Sequence, residues 1–257
     1  MDTNLRNPFD LTGKVAIVTG ASKGIGEAIA RHLAAFGASV VVSSRKQADL
    51  DAVAADITQQ GGRAIGIAAH TGEPAQLQHL VEQTIEQLGG VDILVNNAAT
   101  NPVFGPLLDC PDSATDKIMQ VNLRGPLVLA KLVYPSMKAR GGGSIINISS
   151  IEGLSPGVGI GMYSVSKAAL LMLTKVMAKE WGPAGIRVNA ICPGLIKTKF
   201  SEALWSNEKI TELYVKHLPL PRMGESDEIA GLALYLAAAA SSYTTGGIFT
   251  ADGGSTI

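Results

Sequence analysis

An α/β domain wound on both faces of a parallel, seven-stranded sheet is the fold class this sequence predicts, and three observations carry it. Short β-branched apolar runs alternate with longer amphipathic stretches from end to end. The first run passes directly into a glycine-rich turn and then into a helical pattern. No Pro/Ser-rich linker, charge block or solenoid-length repeat divides the 257 residues, so 1–257 reads as a single domain. A chain of that length buries a substantial core, and its 46% hydrophobic residues and 29 glycines suit a compact α/β protein.

The first strand, Val15 to Thr19, runs into Thr19-Gly-Ala-Ser-Lys-Gly-Ile-Gly26. Gly20, Gly24 and Gly26 fall where the backbone must turn sharply and approach a ligand, and the N-terminus of the helix that follows attracts phosphate. The Gly-x-x-x-Gly-x-Gly spacing departs from the commoner Gly-x-Gly-x-x-Gly, although the strand-turn-helix setting is that of a dinucleotide site. Gly20, Ser22, Lys23, Gly24, Ile25 and Gly26 are thus candidate cofactor-binding residues, and a turn that only packs helix on sheet is the alternative. The second strand, Val40 to Ser43, ends in Ser44 and Arg45. An NAD site usually places an acidic residue there for the adenosine ribose. Here the first carboxylate is Asp49, already inside the next helix. Arg45 and Lys23 could instead pair with a 2′-phosphate, the guanidinium offering a planar charged fork, which points to NADP(H); solvated surface cations are the alternative.

The third strand, Ala64 to Ala68, leads to His70 and Thr71, and the fourth, Ile93 to Asn96, leads to Asn97 and Ala98. The long helix that follows contains Asn122-Leu-Arg-Gly-Pro126. Proline cannot donate to the carbonyl of residue 122, so a kink is expected there, with a free Asn122 carbonyl able to hold a water toward Lys167. The fifth strand, Ser144 to Ile148, leads to Ser149 and Ser150, and the next helix carries Tyr163-Ser-Val-Ser-Lys167. The four-residue spacing puts Tyr163 and Lys167 on one helix face. A phenol of ordinary pKa near ~10 needs a cationic neighbour to act as proton acceptor at neutral pH, and bringing it there takes roughly 4 kcal/mol. An exposed ammonium alone does not supply that; Lys167 with a positive nicotinamide in a partly dry pocket does. Ser150 is expected to hydrogen-bond the same substrate oxygen. The sixth strand, Arg187 to Ile191, leads to Pro193 and Gly194. Before the last strand, Ile248 to Thr250, the segment 195–223 is too long for a strand-to-helix loop and reads as a lid or binding loop. Trp205 in that segment is expected to wall the substrate, while Phe104, Leu154, Phe200 and Leu204 could equally be core.

Net charge of −1 gives no field for nucleic acid or an anionic membrane, so the expected partner is a small carbonyl or alcohol substrate. Cys110 and Cys192 form no disulfide framework and read as small hydrophobes; no metal-ligand spacing involves them or His32, His79 and His217. Trp181 reads as packing at a helix end, and Asp109, Asp112 and Asp116 form no carboxylate pair for hydrolysis. The start of the chain has no signal-peptide pattern, and the longest apolar run, Ile229 to Ala240, is too short to span a bilayer, so a cytoplasmic protein is expected.

Together these residues resemble the short-chain dehydrogenase/reductase family from about Leu11 onward. The motifs are Thr19-Gly-x-x-x-Gly-x-Gly26, Asn96-Asn-Ala-Ala99, Asn122, Ser150, Tyr163, Lys167, Pro193-Gly194 and Thr198, in family order and spacing. The resemblance implies a Rossmann-type fold, a catalytic tetrad of Asn122, Ser150, Tyr163 and Lys167, and a Lys167 that also holds the nicotinamide ribose. It implies that Asn96 supports the central strands. It also implies cofactor contacts from Ser44, Asn97, Ala98, Pro193 and Gly194, with the Ile196 backbone and the Thr198 hydroxyl meeting the carboxamide. Two departures stand out: His70-Thr71 occupies a place where many members have an aspartate at the adenine, and Ala99 replaces a common glycine. Val-Val-Val-Ser-Ser-Arg-Lys46, Asn97-Ala-Ala-Thr-Asn-Pro102 and Pro193-Gly-Leu-Ile-Lys-Thr198 are similar to NADP-dependent retinol dehydrogenase/carbonyl reductases, whose animal members end in a peroxisomal address that Gly253-Gly-Ser-Thr-Ile257 does not match. Asp252-Gly253-Gly254 is similar to many bacterial members, which favours a bacterial cytosolic reductase. Reduction of 3-oxoacyl groups on acyl carrier protein is the alternative; the family's carrier-protein reductases place arginines near the positions of Gly141 and Ala184 here, with Lys138 and Arg140 close to the first. A sugar or steroid alcohol dehydrogenase is a further possibility, and a non-catalytic NADP-binding sensor a remote one. The family's usual tetramer leads to the expectation of a homotetramer, compatible with apolar helix faces such as Leu170 to Met177.

Overall fold

Seven strands form where the β-branched runs place them, and every strand pair is parallel: β1 (Val15–Thr19), β2 (Ser39–Ser44), β3 (Arg63–Ala68), β4 (Ile93–Asn96), β5 (Gly143–Ile148), β6 (Ile186–Pro193) and β7 (Ile248–Ala251). Their order in the sheet is β3-β2-β1-β4-β5-β6-β7. The computed structural model describes residues 7–205 and 208–257, without the side chains at 203, 204, 208–210 and 213; Leu204 as a pocket wall therefore lies outside the described side chains.

Strand side chains alternate between two faces, and the core divides accordingly. Ala16, Val18, Val40 and Val42 pack with α1 (Gly24–Ala35), α2 (Gln47–Gln59) and α9 (Ser226–Ala237) through Ile29, Leu33, Leu50, Ile229 and Leu236. Ile17, Val41, Leu94 and Ile145 pack on the other face with α3 (Pro74–Leu88), α5 (Gly125–Ala139) and α6 (Gly161–Trp181) through Leu77, Leu80, Leu129, Val133 and Met177. Each such Leu or Ile contributes roughly 1.5–3 kcal/mol by leaving water. Trp181 packs as expected at the end of α6, its ring centroid 5.1 Å from that of Tyr134.

The expected break near Pro126 takes a specific form. Between α4 (Asp112–Met119) and α5 the chain makes a π-helical turn over Gln120–Arg124, with the Gly125 N–H donating to the Gln120 carbonyl five residues back. Proline, with no N–H of its own, is accommodated as the second residue of α5.

Segment 195–223 leaves and returns through one closed neck. Ile196 and Gly224 form a parallel bridge, Lys197 N–H donates to the Gly224 carbonyl at 2.9 Å and Gly224 N–H to the Leu195 carbonyl at 3.0 Å. The excursion carries two short helices, α7 (Glu202–Trp205) and α8 (Glu208–Val215). At the opposite, N-terminal end of the strands, buried Asp92 accepts the Val15 N–H at 2.9 Å and takes a two-toothed ion pair from Arg140 at 3.0 and 2.9 Å.

Candidate active site

β1 has β2 on one side and β4 on the other, so strand order reverses between β1 and β4 and opens a crevice at their C-terminal ends. Gly20 (φ 64°) and Gly24 (φ 61°) take left-handed conformations that give the turn its tightness. At Gly26 any Cβ would collide with the Asn97 amide and the Gly20 carbonyl, so this glycine sits where backbones meet. Asn97 braces the turn: its side-chain amide donates to the Thr19 and Gly20 carbonyls at 2.9 and 3.2 Å, and its N–H, like that of Ala98, donates to Thr19 Oγ1. Lys23 is the N-cap of α1 and offers no side-chain cap, leaving the first-turn N–H groups of that helix open to an anion; Ser22 and Ile25 flank it, half-buried.

Ser44 closes β2, and Arg45 follows it exposed; Arg45 and Lys23 make no ion pair with any described residue, and Asp49 lies within α2 as expected. His70 turns its Nδ1 to the Gly72 N–H at 3.0 Å, so its ring is engaged with its own loop. At the other end of the groove, Pro193 ends β6, and Gly194 approaches Asp252 so closely that a Cβ would stand 2.7 Å from the Asp252 Cα. The Thr198 methyl lies 3.3 Å from where a Gly24 Cβ would stand, so the β6 loop meets the glycine turn. Ser201 bonds the Ile196 carbonyl at 2.5 Å and the Thr198 hydroxyl at 3.1 Å, holding this loop in shape. Tight glycines, an uncapped helix end and unpaired cations form a cradle that fits a phosphate-bearing dinucleotide.

Tyr163 and Lys167 stand on one face of α6, both buried, with the Lys167 ammonium 5.5 Å from the centre of the phenol ring. Lys167, 2% exposed, donates to the Ile148 carbonyl at 2.8 Å, and Ser149 Oγ donates to the Lys167 carbonyl at 3.0 Å. A buried polar ladder continues the tie between α6 and the sheet. Asn96 donates to Asn147 Oδ1 at 2.9 Å, Asn147 to Thr174 Oγ1 at 2.8 Å, and Thr174 to the Leu170 carbonyl at 2.8 Å. The Asn122 side chain, in the π turn, holds the Thr100 backbone through both N–H and carbonyl and donates to Ser166 Oγ at 3.1 Å.

Burial dominates the electrostatics. It pushes the Tyr163 phenol well above the ordinary tyrosine range; the Ser150 hydroxyl works the other way, while Glu152 and Cys192 add to the rise. Burial pulls Lys167 down to about 8. Cys192, expected to be a small hydrophobe, is fully buried, and burial lifts its thiol to about 11. The sequence leads one to expect Lys167 to favour the phenolate; burial acts in the other direction and holds the phenol in its protonated form.

The pocket wall differs from the expectation. Phe200, 57% exposed, sets its ring centroid 6.1 Å from that of Tyr163, so it is the aromatic that covers the tyrosine. Trp205 instead donates its indole N–H to the Thr198 carbonyl at 2.8 Å and lies under Lys197, and thereby braces the loop. Exposed Phe104 packs on Gly159, and Gly105 N–H donates to the Gly159 carbonyl at 2.9 Å, joining the loop after β4 to the one before α6. Sequence spacing could not find the Phe200–Tyr163 and Gly105–Gly159 contacts, because each joins segments far apart in the chain. Among the described residues, no group of three or more His, Cys, Asp or Glu side chains could hold a metal ion, and no helix is long and apolar enough to cross a membrane.

The family model described as enoyl-(acyl carrier protein) reductase matches residues 20–256. The chain is 44% identical over 244 residues to dehydrogenase/reductase SDR family member 4 of Homo sapiens, covering 95% of this chain and 88% of the relative. Among solved structures, a gluconate 5-dehydrogenase from Burkholderia cenocepacia J2315 in complex with NADP and tartrate superposes with a TM-score of 0.93 at 34% identity, covering 97% of each chain. A 7α-hydroxysteroid dehydrogenase complexed with NADH and 7-oxoglycochenodeoxycholic acid gives 0.93 at 36% identity, covering 97% of this chain and 98% of the other.

Proposed function

The chain belongs to the short-chain dehydrogenase/reductase family of oxidoreductases, and we propose that within it this protein is an NADP(H)-dependent reductase of free aldehydes, ketones or diketones, reversible to a secondary-alcohol dehydrogenase. The observation that carries this reading is the buried Tyr163–Lys167 face beside Ser150 at the mouth of a dinucleotide cradle. A bound nicotinamide dinucleotide supplies or accepts the hydride. Tyr163 gives its proton to the carbonyl oxygen in reduction and takes it from the alcohol in oxidation, and Ser150 hydrogen-bonds the same oxygen. Lys167 holds the nicotinamide ribose and favours the phenolate once the groove is filled. The Asn122 carbonyl, beside Pro126, holds a water that links Lys167 to solvent. Gly20, Ser22, Lys23, Gly24, Ile25 and Gly26 bind the phosphates. Ser44 and Arg45, with Lys23, bind the adenosine end, while Asn97, Ala98, Pro193, Gly194, Ile196 and Thr198 line the nicotinamide end.

The choice of NADP(H) is supported by Arg45 and Lys23, which have no ion-pair partner among the described residues and no carboxylate at the end of β2. Acyl-carrier-protein reduction is disfavoured because Gly141 and Ala184 stand where such reductases carry arginines and, of the neighbouring Lys138 and Arg140, Arg140 is committed to Asp92 at the far end of the strands from Ser150. Of the face expected to pair, Leu170, Leu171 and Met177 are buried in the core, whereas Val165, Met172 and Val176 leave an exposed apolar stripe on α6 that supports helix pairing in a homotetramer; a cytosolic setting is part of the same proposal. The test is oxidation of NADPH and NADH side by side by the purified protein, against an α-diketone, an aromatic ketone, retinal, a sugar acid, a steroid ketone and an acetoacetyl thioester. NADPH-selective turnover of free carbonyls is the expected result. Activity confined to the thioester moves the assignment to an acyl reductase, and NADPH binding with no Tyr163-dependent turnover moves it to a sensor.

A further inference from the structure

Glu152 stands two residues after Ser150, in the single 3-10 turn Ile151–Gly153, and has no part in the reaction as described above. Its Oε2 accepts from the Gly157 N–H at 2.5 Å and from Ser164 Oγ at 3.0 Å, while its own N–H donates to Ser150 Oγ at 3.1 Å. Ser164 directly follows Tyr163 in α6 and is buried. A Cβ on Gly157 would stand 2.9 Å from both carboxylate oxygens, so any side chain there would push the carboxylate off its bond to the loop. The carboxylate thus joins the loop 154–157 to the first turn of α6, while the backbone N–H of the same residue holds Ser150.

The groups that face the phenol come from several elements. Lys167 approaches along α6, the Ser150 hydroxyl from the end of β5, Cys192 from β6 and the neutral ring of Phe200 from the insertion. Among the described residues, Glu152 is the carboxylate whose charge acts on Tyr163. Negative charge beside a phenol opposes its ionisation, and the low polarity of a buried site lengthens the reach of that effect.

We propose that Glu152 is a positioning residue for proton transfer: its carboxylate clamps the loop 154–157 to α6 and sets a negative charge beside the Ser150–Tyr163 pair. This rests on the carbonyl-reductase reading and deepens it. The consequence is a reduction that persists to higher pH, with an oxidation whose rise is displaced to the alkaline side.

Glu152→Gln keeps an acceptor for Gly157 and Ser164 and removes the charge; Glu152→Ala removes both. In the cofactor-free protein, tyrosinate absorbance of each variant is read against the same background carrying Tyr163→Phe. With Glu152→Gln, ionisation of Tyr163 is expected to begin about half a pH unit or more below wild type, and the alkaline fall of the reduction rate is expected to move by a similar amount. With Glu152→Ala, hydrogen exchange at the Gly157 amide is expected to speed up at least about tenfold and KM for the carbonyl substrate to rise several-fold, while Glu152→Gln leaves both near wild type. Unmoved ionisation in Glu152→Gln overturns the charge role, and unchanged Gly157 exchange in Glu152→Ala overturns the clamp. A wild-type protein that turns over no carbonyl, but whose tyrosinate onset and Gly157 exchange still respond, defeats the reductase reading and leaves the positioning role standing.

Discussion

The two ends of the sheet treat charge in opposite ways. At the N-terminal edge, Asp92 is buried and saturated: Val15 N–H, both teeth of the Arg140 fork and, at 3.6 Å, the Lys14 ammonium all converge on it. At the C-terminal edge, Lys23 and Arg45 have no anionic partner among the described residues, Lys167 has only a neutral carbonyl, and the Tyr163 phenol is buried beside a carboxylate. Paired charge closes a structure, whereas groups held in an unfavourable protonation balance mark a place where a ligand completes the arrangement. The difference teaches where the chain keeps its stability and where it keeps its chemistry.

The sharpest way to break that comparison is Tyr163→Phe. Losing the hydroxyl that moves the proton should reduce turnover by about 10²–10⁴-fold, while the urea midpoint stays near wild type; a variant that unfolds instead would make Tyr163 a packing residue. Arg45→Asp comes next. A charge-assisted fork to a 2′-phosphate predicts a KM for NADPH raised about 10–100-fold with a far smaller change for NADH, and equal effects on both cofactors would place the phosphate elsewhere. The converse experiment at the closed end is Asp92→Ala, which removes the Val15 hydrogen bond and the Arg140 pair. Because Arg140 is 32% exposed and can rehydrate, the loss should be about 2 kcal/mol rather than the full value for a sealed pair. Unfolding in urea measures it, and an altered KM would show that the two ends are coupled.

The last test is one of pH. Lys167 titrates at about 8 in the folded protein and near 10.5 when unfolded, so between those values the unfolded chain binds more protons and stability rises with pH. The Tyr163 phenol, raised by burial, acts oppositely above pH 10, where the unfolded chain gives up its proton first and stability falls. Wild type compared with Lys167→Met across that window should show the rise in wild type alone.

Much of this was legible in the sequence because its signals are local. Each strand is a β-branched run bounded by a turn, and the observed limits extend those read from the sequence by no more than a couple of residues. The glycine turn and the Tyr163–Lys167 spacing are equally local, which is why they pointed to one crevice. Most of what escaped has long sequence separation. Nothing near Asp92 announces Arg140, 48 residues on. Nothing in the insertion distinguishes Phe200, which covers the tyrosine, from Trp205, which braces the loop. Pro126 points to a break in its helix, but neither the π turn nor the bonds from its Asn122 side chain to Thr100 and Ser166, 22 and 44 residues away, can be read from that proline.

Helices packed on a sheet by aliphatic contacts can slide along their axes, since one set of methyl groups exchanges for another with little penalty. For α6 that freedom is removed. Asn147 grips Thr174, Ser149 grips the carbonyl of Lys167, and the Lys167 ammonium grips Ile148, three latches at two heights, residues 167 and 174, along one rod. A slip of one turn, about 5.4 Å, would strand all of them in a dry interior at once. The ladder therefore works as a depth stop: it sets the altitude at which the phenol meets the crevice, and a helix held this way can lose or gain surface residues without the tyrosine moving.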